Sequence, residues 1–331
     1  MANQGNPNHA PAGAPGGIGG QFVSGPQAGG ETEQEQQQAQ APVKKKATTK
    51  GKKKATFKKK AAPTLKSSDA LAQMFAKLQD INQSINVPPL STVKELEDNI
   101  EKFFSKQIIN HIDSLDGKAQ DCSAYQFHPK SNPRVCLNIY TCVFGKYRYP
   151  DNHAHYVDDA TYQKMAADVN NYSKVYRGIS SLGQKRKDIL DSYVSNDINN
   201  LDIYGNGCYG TNVYTTLSPE YARSYGTPIY GLVDKNARSI FSNTLENMQS
   251  SLDTTTIVQK VEAHLINQGL EQNRANQIAR HFGQALKNDI SLLAILLGYD
   301  YQYGDGAYAS AKNHHQRNIL NLSKWYIRRE F

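Results

Sequence analysis

The heptapeptide KVYRGIS (Lys174–Ser180) is the stretch around which the fold is organised. Its apolar and aromatic residues bracket Arg177, which is typical of a β-strand that carries one polar group at a defined place. Gly178 follows at once, and a glycine beside an arginine lets a flat or anionic ligand approach the backbone while the guanidinium binds it bidentately. The alternative is that Arg177 is a surface charge beside a turn.

A second stretch, YGNGCYGTNVYTTLSPEYARSYG (Tyr204–Gly226), carries the next strand and a short helix. Its glycines lead into a strand predicted over 212–216. Ser218 is a suitable N-cap and Pro219 suits the first helical position. Strands that alternate with helices while lying far apart in sequence indicate an α+β domain with a split or mixed sheet.

Three segments of the chain resemble the NAD-dependent ADP-ribosyltransferase family of bacteriophages and bacterial toxins. That family has an arginine, or a histidine and a glycine, on its first core strand. A later strand with a Gly-x-Tyr-x-Thr-like pattern leads into a helix of the form Ala-x-x-Tyr, and the domain ends on Leu-Gly-Tyr-Asp followed by a last strand. The residues that carry the resemblance, which spans roughly residues 150–331, are Tyr176-Arg177-Gly178, Gly210 with Tyr214-Thr215-Thr216, Ala222 with Tyr225, LLAILLGYD (Leu292–Asp300) and NILNLSKWYI (Asn318–Ile327).

The resemblance implies an ADP-ribosyltransferase-like split or mixed sheet, NAD+ as co-substrate and no metal. Arg177 is expected to pair with phosphate, Gly178 to leave backbone groups free for the nicotinamide amide, and Tyr214 to be an aromatic plate against the ring. Thr215 and Thr216 occupy the place of the strand that supports the family's carboxylate. The residues expected to bind NAD+ are Arg177, Gly178, Tyr209, Gly210, Thr215, Thr216 and Tyr225, and those expected to act in catalysis are Arg177, Tyr214 and Gln316. For the tyrosines the alternative is a purely structural place in the core.

One element of the family pattern is missing. The family has a glutamate just before or on the strand that corresponds to 318–322, whereas Gln316 is the nearest match in position here. A glutamine holds a ribose hydroxyl by hydrogen bonding but supplies no negative charge. Asp300 and Asp305 are the carboxylates that would compensate. Three outcomes stay open: a weaker transferase, a transferase with a rearranged carboxylate, or a domain that only binds.

The long segment Tyr301–Gln316, with its small and aromatic residues, is predicted to be a functional loop. In the transferase family the corresponding loop recognises the protein target. The resemblance therefore implies a host protein as the acceptor of ADP-ribose. A loop without a function is the alternative.

Residues 1–66 are predicted to be a disordered tail, because so few large apolar residues cannot offset the entropy cost of ordering. The formal charge of the chain is +8, but ten lysines lie in Lys44–Lys60, which leaves −2 on the rest. This run suits non-specific contact with nucleic-acid phosphates, or else it is a solubilising linker. Asn6–Gly25 resembles segments of some phage head-associated proteins, which implies a virion context. The alternative function is thus a catalytically degenerate transferase fold in a DNA-associated virion protein.

A helical hairpin is predicted over 67–117, with Thr92 and Glu95 at capping-box spacing before its second helix. A strand and a linker are predicted over 118–150, and they lead into the transferase-like domain at 151–331.

Neither cysteines nor histidines signal a metal site. The four cysteines form no Cys-x-x-Cys pair, which predicts free thiols in a reducing cytoplasm. His153 and His155 have no third ligand nearby in sequence. No stretch has the length and apolarity of a transmembrane helix, and the N-terminus lacks the apolar core of a signal peptide. The expected location is the virion or the host bacterial cytoplasm.

Overall fold

The computed structural model describes residues 85–116, 125–128, 135–149, 151–195, 205–207, 209–304 and 315–331. The tail at 1–66, the first helix of the predicted hairpin and most of the predicted target-facing loop lie outside these residues. Over the described ranges the chain has a mixed α/β fold in which helices flank a mixed β-sheet.

Nine of the described strands form one main sheet, and the two-residue strands β1 and β2 form a separate ribbon. The strands are β1 (Gln126–Phe127), β2 (Leu137–Asn138), β3 (His155–Val157), β4 (Tyr172–Ile179), β5 (Gly205–Gly207), β6 (Gly210–Thr216), β7 (Thr227–Asp234), β8 (Ser239–Phe241), β9 (Tyr301–Gly304), β10 (Gln316–Ile319) and β11 (Trp325–Arg328). The order across the main sheet is β3–β11–β7–β4–β6–β10–β9–β8, with β5 paired to β6. The pairs β11–β3 and β8–β9 are parallel, and the other pairs are antiparallel.

The main sheet divides between β4 and β6. All eight residues of β4 pair with β7, whereas β4 and β6 pair only at Tyr176 and Thr216. Two strands that share one pair diverge on either side of it. The sheet therefore consists of two halves that meet at this point.

Ten helices lie in the described part of the chain. They are α1 (Val93–Asn99), α2 (Lys106–Asp116), α3 (Ile139–Arg148), α4 (Asp159–Ala167), α5 (Gly183–Val194), α6 (Pro219–Arg223), α7 (Ser242–Ser250), α8 (Thr254–Asn267), α9 (Gln272–Asn288) and α10 (Ile290–Leu297). Short 3-10 turns cover Ile100–Phe103 and Leu322–Lys324.

The main apolar core surrounds α10, which is buried on all sides. Such complete burial is expected for a helix that is apolar around its whole circumference. Phe144 of α3 packs edge-on against Phe104 and Phe282, with ring centroids 5.3 and 5.7 Å apart. A smaller cluster joins Tyr162 of α4 to Leu232. Since neighbouring residues of a strand face opposite ways and Val233 belongs to the main core, this cluster lies on the other face of β7.

Most of the predicted elements are confirmed. The strands expected around Arg177 and at 212–216 are β4 and β6. Ser218 caps α6 by accepting a hydrogen bond from the backbone N–H of Tyr221 at 3.1 Å.

The second helix of the predicted hairpin is not continuous. It starts at the expected capping box of Thr92 and Glu95, but it breaks between α1 and α2. Phe103 and Phe104 are both buried at the break, and both rings pack edge-on against Phe144. Adjacent residues of a regular helix lie about 100° apart around its axis. The break lets two consecutive phenylalanines enter the same core.

The strand predicted before Gly145 is wrong, because this segment forms α3. The side chain of Asn138 accepts hydrogen bonds from the backbone N–H groups of Tyr140 and Thr141, which starts the helix. Residues 139–145 are all buried. Periodicity does not distinguish a strand from a helix in a short run that is buried on every side.

The strand expected at 318–322 is β10, and β11 follows it in the other half of the sheet. One further prediction is corrected. Cys136 is disulfide-bonded, which contradicts the expectation of free thiols, whereas Cys142 is a free and buried thiol. Among the described helices, none has the length and apolarity needed to cross a bilayer.

The C-terminal segment is joined to the sheet by an ion pair whose arginine is buried. Arg186 of α5 donates to both carboxylate oxygens of Glu330 at 2.7 Å and to the carbonyls of Thr227 and Pro228. The Arg186 side chain is only 5% exposed. Removing one member of a buried pair leaves the other charge uncompensated.

Glu330→Ala is therefore expected to lower the free energy of unfolding by about 3 kcal/mol, measured by urea denaturation. Asp98→Ala is the matched control, because the Lys94–Asp98 pair on α1 is largely exposed, at 74% and 50%. Its removal is expected to change the free energy of unfolding much less, because water and salt screen an exposed pair. Equal effects of the two substitutions would show that the Arg186–Glu330 pair does not stabilise the fold.

Candidate active site

A cleft lies where β4 and β6 diverge. It encloses about 420 Å³ of space, part of it open to solvent. Its lining comes from β4, β6, α6 and β10, which are far apart in sequence. The lining residues are Tyr176, Arg177, Gly178, Tyr214, Thr215, Thr216, Tyr221, Ala222, Tyr225 and Gln316. The cleft therefore brings together all three residues predicted to act in catalysis.

Arg177 is held on the cleft wall. It is 8% exposed, and its Nη1 donates to the carbonyl oxygen of Tyr214 at 2.8 Å. The guanidinium also lies 5.8 Å from the ring centroid of Tyr193. These contacts fix a cation beside the cleft and rule out the alternative of a surface charge.

Gly178 lines the cleft, but its lack of a side chain has a different cause from the one predicted. A Cβ atom built on Gly178 would lie 2.0 Å from the carbonyl oxygen of Ala222 and 2.9 Å from Cβ of Tyr225. The backbone of α6 thus packs directly onto β4 at this point. The glycine permits the helix to approach the strand, and the helix forms one wall of the cleft.

Gly178→Ala is expected to displace α6, to destabilise the protein by about 2 kcal/mol and to abolish ligand binding in the cleft. Thermal unfolding and a ligand titration measure the two effects. Gly183→Ala is the control, because its Cβ would have no neighbour within 4 Å. At Gly183 only the left-handed backbone conformation is penalised, by about 1 kcal/mol, and binding is expected to persist. Unchanged binding in Gly178→Ala would contradict the assignment of α6 as a cleft wall.

Four tyrosines surround the cleft. Tyr221 lies on α6 and Tyr225 in the turn that follows this helix, and their hydroxyls are 3.0 Å from each other. The hydroxyl of Tyr214 donates to the carbonyl oxygen of Gly210 at 2.7 Å, which fixes its ring along β6. Burial raises the pKa of Tyr176, with smaller contributions from Tyr230 and Glu220. The Tyr176 hydroxyl therefore stays protonated at neutral pH.

Sequence reasoning did not assign Tyr176 or Tyr221 to the site. Tyr176 is adjacent to Arg177, and alternation along a strand directs the two side chains to opposite faces. The i, i+4 spacing of Tyr221 and Tyr225 was the available signal for Tyr221, since it places both residues on one face of a helix.

Gln316 lies across from Thr216 in the β6–β10 register and lines the cleft. Its Oε1 atom is buried and has no hydrogen-bond partner among the described residues, which exclude 305–314. The hydroxyl of Thr215 donates to the carbonyl oxygen of Arg317, and the hydroxyl of Thr216 donates to the carbonyl oxygen of His315. The two threonines thus hold the strand that carries Gln316.

Asp300 does not line the cleft. Its Oδ2 accepts from the backbone N–H of Arg238 at 2.8 Å, and its Oδ1 accepts from Nδ2 of Asn321 at 2.7 Å. One oxygen therefore joins the start of β9 to the residue before β8, and the other joins it to the segment between β10 and β11. Asp305 lies outside the described residues. Among the residues that the structure describes, no carboxylate lines the cleft.

Tyr209 and Gly210, both predicted to bind NAD+, do not line the cleft. The carbonyl oxygen of Tyr209 accepts from the hydroxyl of Ser291 at 2.6 Å. Gly210 has a φ of +82°, and a Cβ there would lie 1.9 Å from Oδ1 of Asp289. Burial raises the pKa of Asp289, which caps α10. Tyr209 and Gly210 therefore anchor β6 to the start of α10.

The described residues contain no group of three or more His, Cys, Asp or Glu side chains that is suited to a metal ion. The rings of His153 and His155 are 5.3 Å apart, and Nε2 of His155 lies 3.1 Å from the carbonyl oxygen of Ser323. Comparison of the chain with protein-family models, with curated proteins and with solved structures found no match.

Proposed function

We propose that the protein is a mono-ADP-ribosyltransferase, which cleaves NAD+ at the bond between nicotinamide and ribose and transfers ADP-ribose to a protein. The observation that carries the proposal is that Arg177, Tyr214 and Gln316 line one cleft although they lie on three separate strands. The divergence of β4 and β6 suits the split sheet of that family. On this proposal the specific fold is ADP-ribosyltransferase-like.

The lining of the cleft suits the nicotinamide end of NAD+. The oxidised nicotinamide ring is a flat cation, and tyrosine faces attract such cations through their ring quadrupole. Tyr176, Tyr214, Tyr221 and Tyr225 supply this environment. Arg177 supplies a fixed guanidinium. Two parallel N–H groups of a guanidinium can donate to two oxygens of one phosphate at once.

The proposed reaction breaks the C1′–N bond, and the bonding electrons leave with nicotinamide. An oxygen, nitrogen or sulfur atom of the acceptor protein forms the new bond to C1′ and releases its proton. Positive charge develops on the ribose before the new bond is complete, as in glycoside hydrolysis. On this proposal Oε1 of Gln316 accepts a hydrogen bond from a ribose hydroxyl, but an amide oxygen does not offset that charge. We therefore expect the protein to turn over NAD+ slowly.

Incubation of the purified protein with labelled NAD+ and bacterial lysate tests this function. The expected result is label on protein and release of nicotinamide. A correctly folded protein that neither transfers label nor releases nicotinamide would contradict the enzymatic assignment.

The acceptor and the biological setting are part of the same proposal. A host protein as acceptor and a phage origin rest on the family resemblance and on the Asn6–Gly25 segment. The alternative, a DNA-associated virion protein, is favoured by the ten lysines of Lys44–Lys60. Deletion of residues 1–66 separates the two functions. An enzyme keeps its NAD+ turnover without the tail, whereas a protein that acts through the tail loses DNA binding and phenotype.

A further inference from the structure

Three amide side chains are buried together beside the cleft. Asn212, Gln302 and Asn318 are each 0% exposed, and they lie on β6, β9 and β10. Asn318 is in register with Gln302 on one side and with Tyr214 on the other. Asn212 is two residues from Tyr214 and therefore faces the same side of the sheet. We call these three residues the amide cluster.

Two of the three amides have a fixed orientation. The Nδ2 atom of Asn212 and the Nε2 atom of Gln302 both donate to the carbonyl oxygen of Tyr209, at 2.9 and 2.5 Å. A carbonyl only accepts hydrogen bonds, so these positions are NH2 groups. The oxygen atoms Oδ1 of Asn212 and Oε1 of Gln302 are therefore not the atoms that face the carbonyl of Tyr209. Both are buried, and neither has a hydrogen-bond partner in the described part of the chain.

The side chain of Asn318 has no hydrogen-bond partner among the residues that the structure describes. Its Nδ2 and Oδ1 atoms are both buried. Buried polar groups in folded proteins are satisfied almost without exception by protein or by ordered water. The amide cluster thus presents three unsatisfied acceptors and one unsatisfied donor.

We propose that the amide cluster binds an ordered water molecule. The water donates to Oδ1 of Asn212 and Oε1 of Gln302 and accepts from Nδ2 of Asn318. Three hydrogen bonds are the usual number for a buried water. The NH2 groups of Asn212 and Gln302 share two acceptors, Ser291 and Tyr209, which keeps these two amide side chains next to each other. A cation is disfavoured, because none of the three amides carries a negative charge to compensate for its dehydration.

This water connects the strands that form the floor of the cleft. Gln316 precedes Asn318 by two residues and shares its face of β10. By bridging β6, β9 and β10, the water fixes the strand that presents Gln316. The site does not depend on the proposed transferase activity, because all of its partners belong to the protein.

Asn318→Leu tests the proposal through the melting temperature, followed by the fluorescence of the single tryptophan, Trp325. Leucine has nearly the shape of asparagine but cannot bond a water. The expected result is a loss of about 3 °C or more. A melting temperature that is unchanged or raised overturns the proposal, since a dry site gains from an apolar residue. Asn152→Leu shows how far the melting temperature falls when a buried asparagine loses direct hydrogen bonds. The side chain of Asn152 donates to the carbonyl oxygen of Gly145 and accepts from the backbone N–H of Leu322.

A crystal structure of the ligand-free protein tests the same site without a substitution. The expected result is an isolated density peak within hydrogen-bond distance of both Asn318 and Gln302. No peak, or a peak that arises only after a ligand is added, overturns the proposal.

Discussion

Arg177→Ala is expected to weaken NAD+ binding about 100-fold, because a bidentate charge-assisted hydrogen bond to phosphate contributes roughly 2–3 kcal/mol. The side chain is buried on the cleft wall and is anchored to the carbonyl oxygen of Tyr214. Its guanidinium therefore needs no reorganisation before it meets a phosphate. Titration of the folded variant with NAD+ measures the loss.

Two further variants separate the role of Arg177 from general effects of charge. Arg177→Lys keeps the positive charge but loses the planar guanidinium that donates two parallel hydrogen bonds. Its affinity for NAD+ is therefore expected to lie between those of Arg177→Ala and the wild type. Arg223→Ala removes a cation from α6 whose side chain is 57% exposed and paired with Glu220. Its affinity for NAD+ is expected to stay within about twofold of the wild type. If Arg177→Ala binds NAD+ as well as Arg223→Ala does, Arg177 is misassigned.

Gln316→Glu is expected to raise the rate of nicotinamide release at least about tenfold. Gln316 occupies the nearest place to the family's missing glutamate, and its Oε1 atom is buried at the cleft without a partner. A carboxylate there would keep the hydrogen bond to a ribose hydroxyl and add a negative charge near the developing positive charge. Electrostatic stabilisation by one well-placed group contributes about 3–4 kcal/mol in other enzymes. Single-turnover kinetics measure the chemical step.

Gln316→Ala is the matched variant, since it removes both the hydrogen bond and the polar atoms. It is expected to release nicotinamide more slowly than the wild type. A faster rate in Gln316→Glu together with a slower rate in Gln316→Ala would assign Gln316 to the reaction centre. Equal rates in all three proteins would place the reaction centre elsewhere.

Local sequence signals predicted the elements of the domain well. The N-cap of Ser218, the capping box of Thr92 and the apolar run of α10 each depend on residues that are close in sequence. The alternation around Arg177 correctly predicted a central strand. Such signals specify what an element is and where it starts.

The features that the sequence did not predict depend on contacts between residues that are far apart along the chain. The division of the sheet depends on a single pair, Tyr176 with Thr216, between strands separated by a helix. The position of Gly210 depends on the buried carboxylate of Asp289. Neither contact produces a recognisable pattern within a short stretch of sequence. For this reason Gly210 was predicted as part of the site although it packs behind it.

The central claim is that the cleft between β4 and β6 is the NAD+ site, and a crystal structure of the wild-type protein soaked with NAD+ tests it most directly. We expect the nicotinamide ring among the tyrosines, a phosphate on Arg177 and a ribose hydroxyl at hydrogen-bond distance from Oε1 of Gln316. An empty cleft at a saturating concentration of NAD+, or NAD+ bound on another surface, would contradict the account.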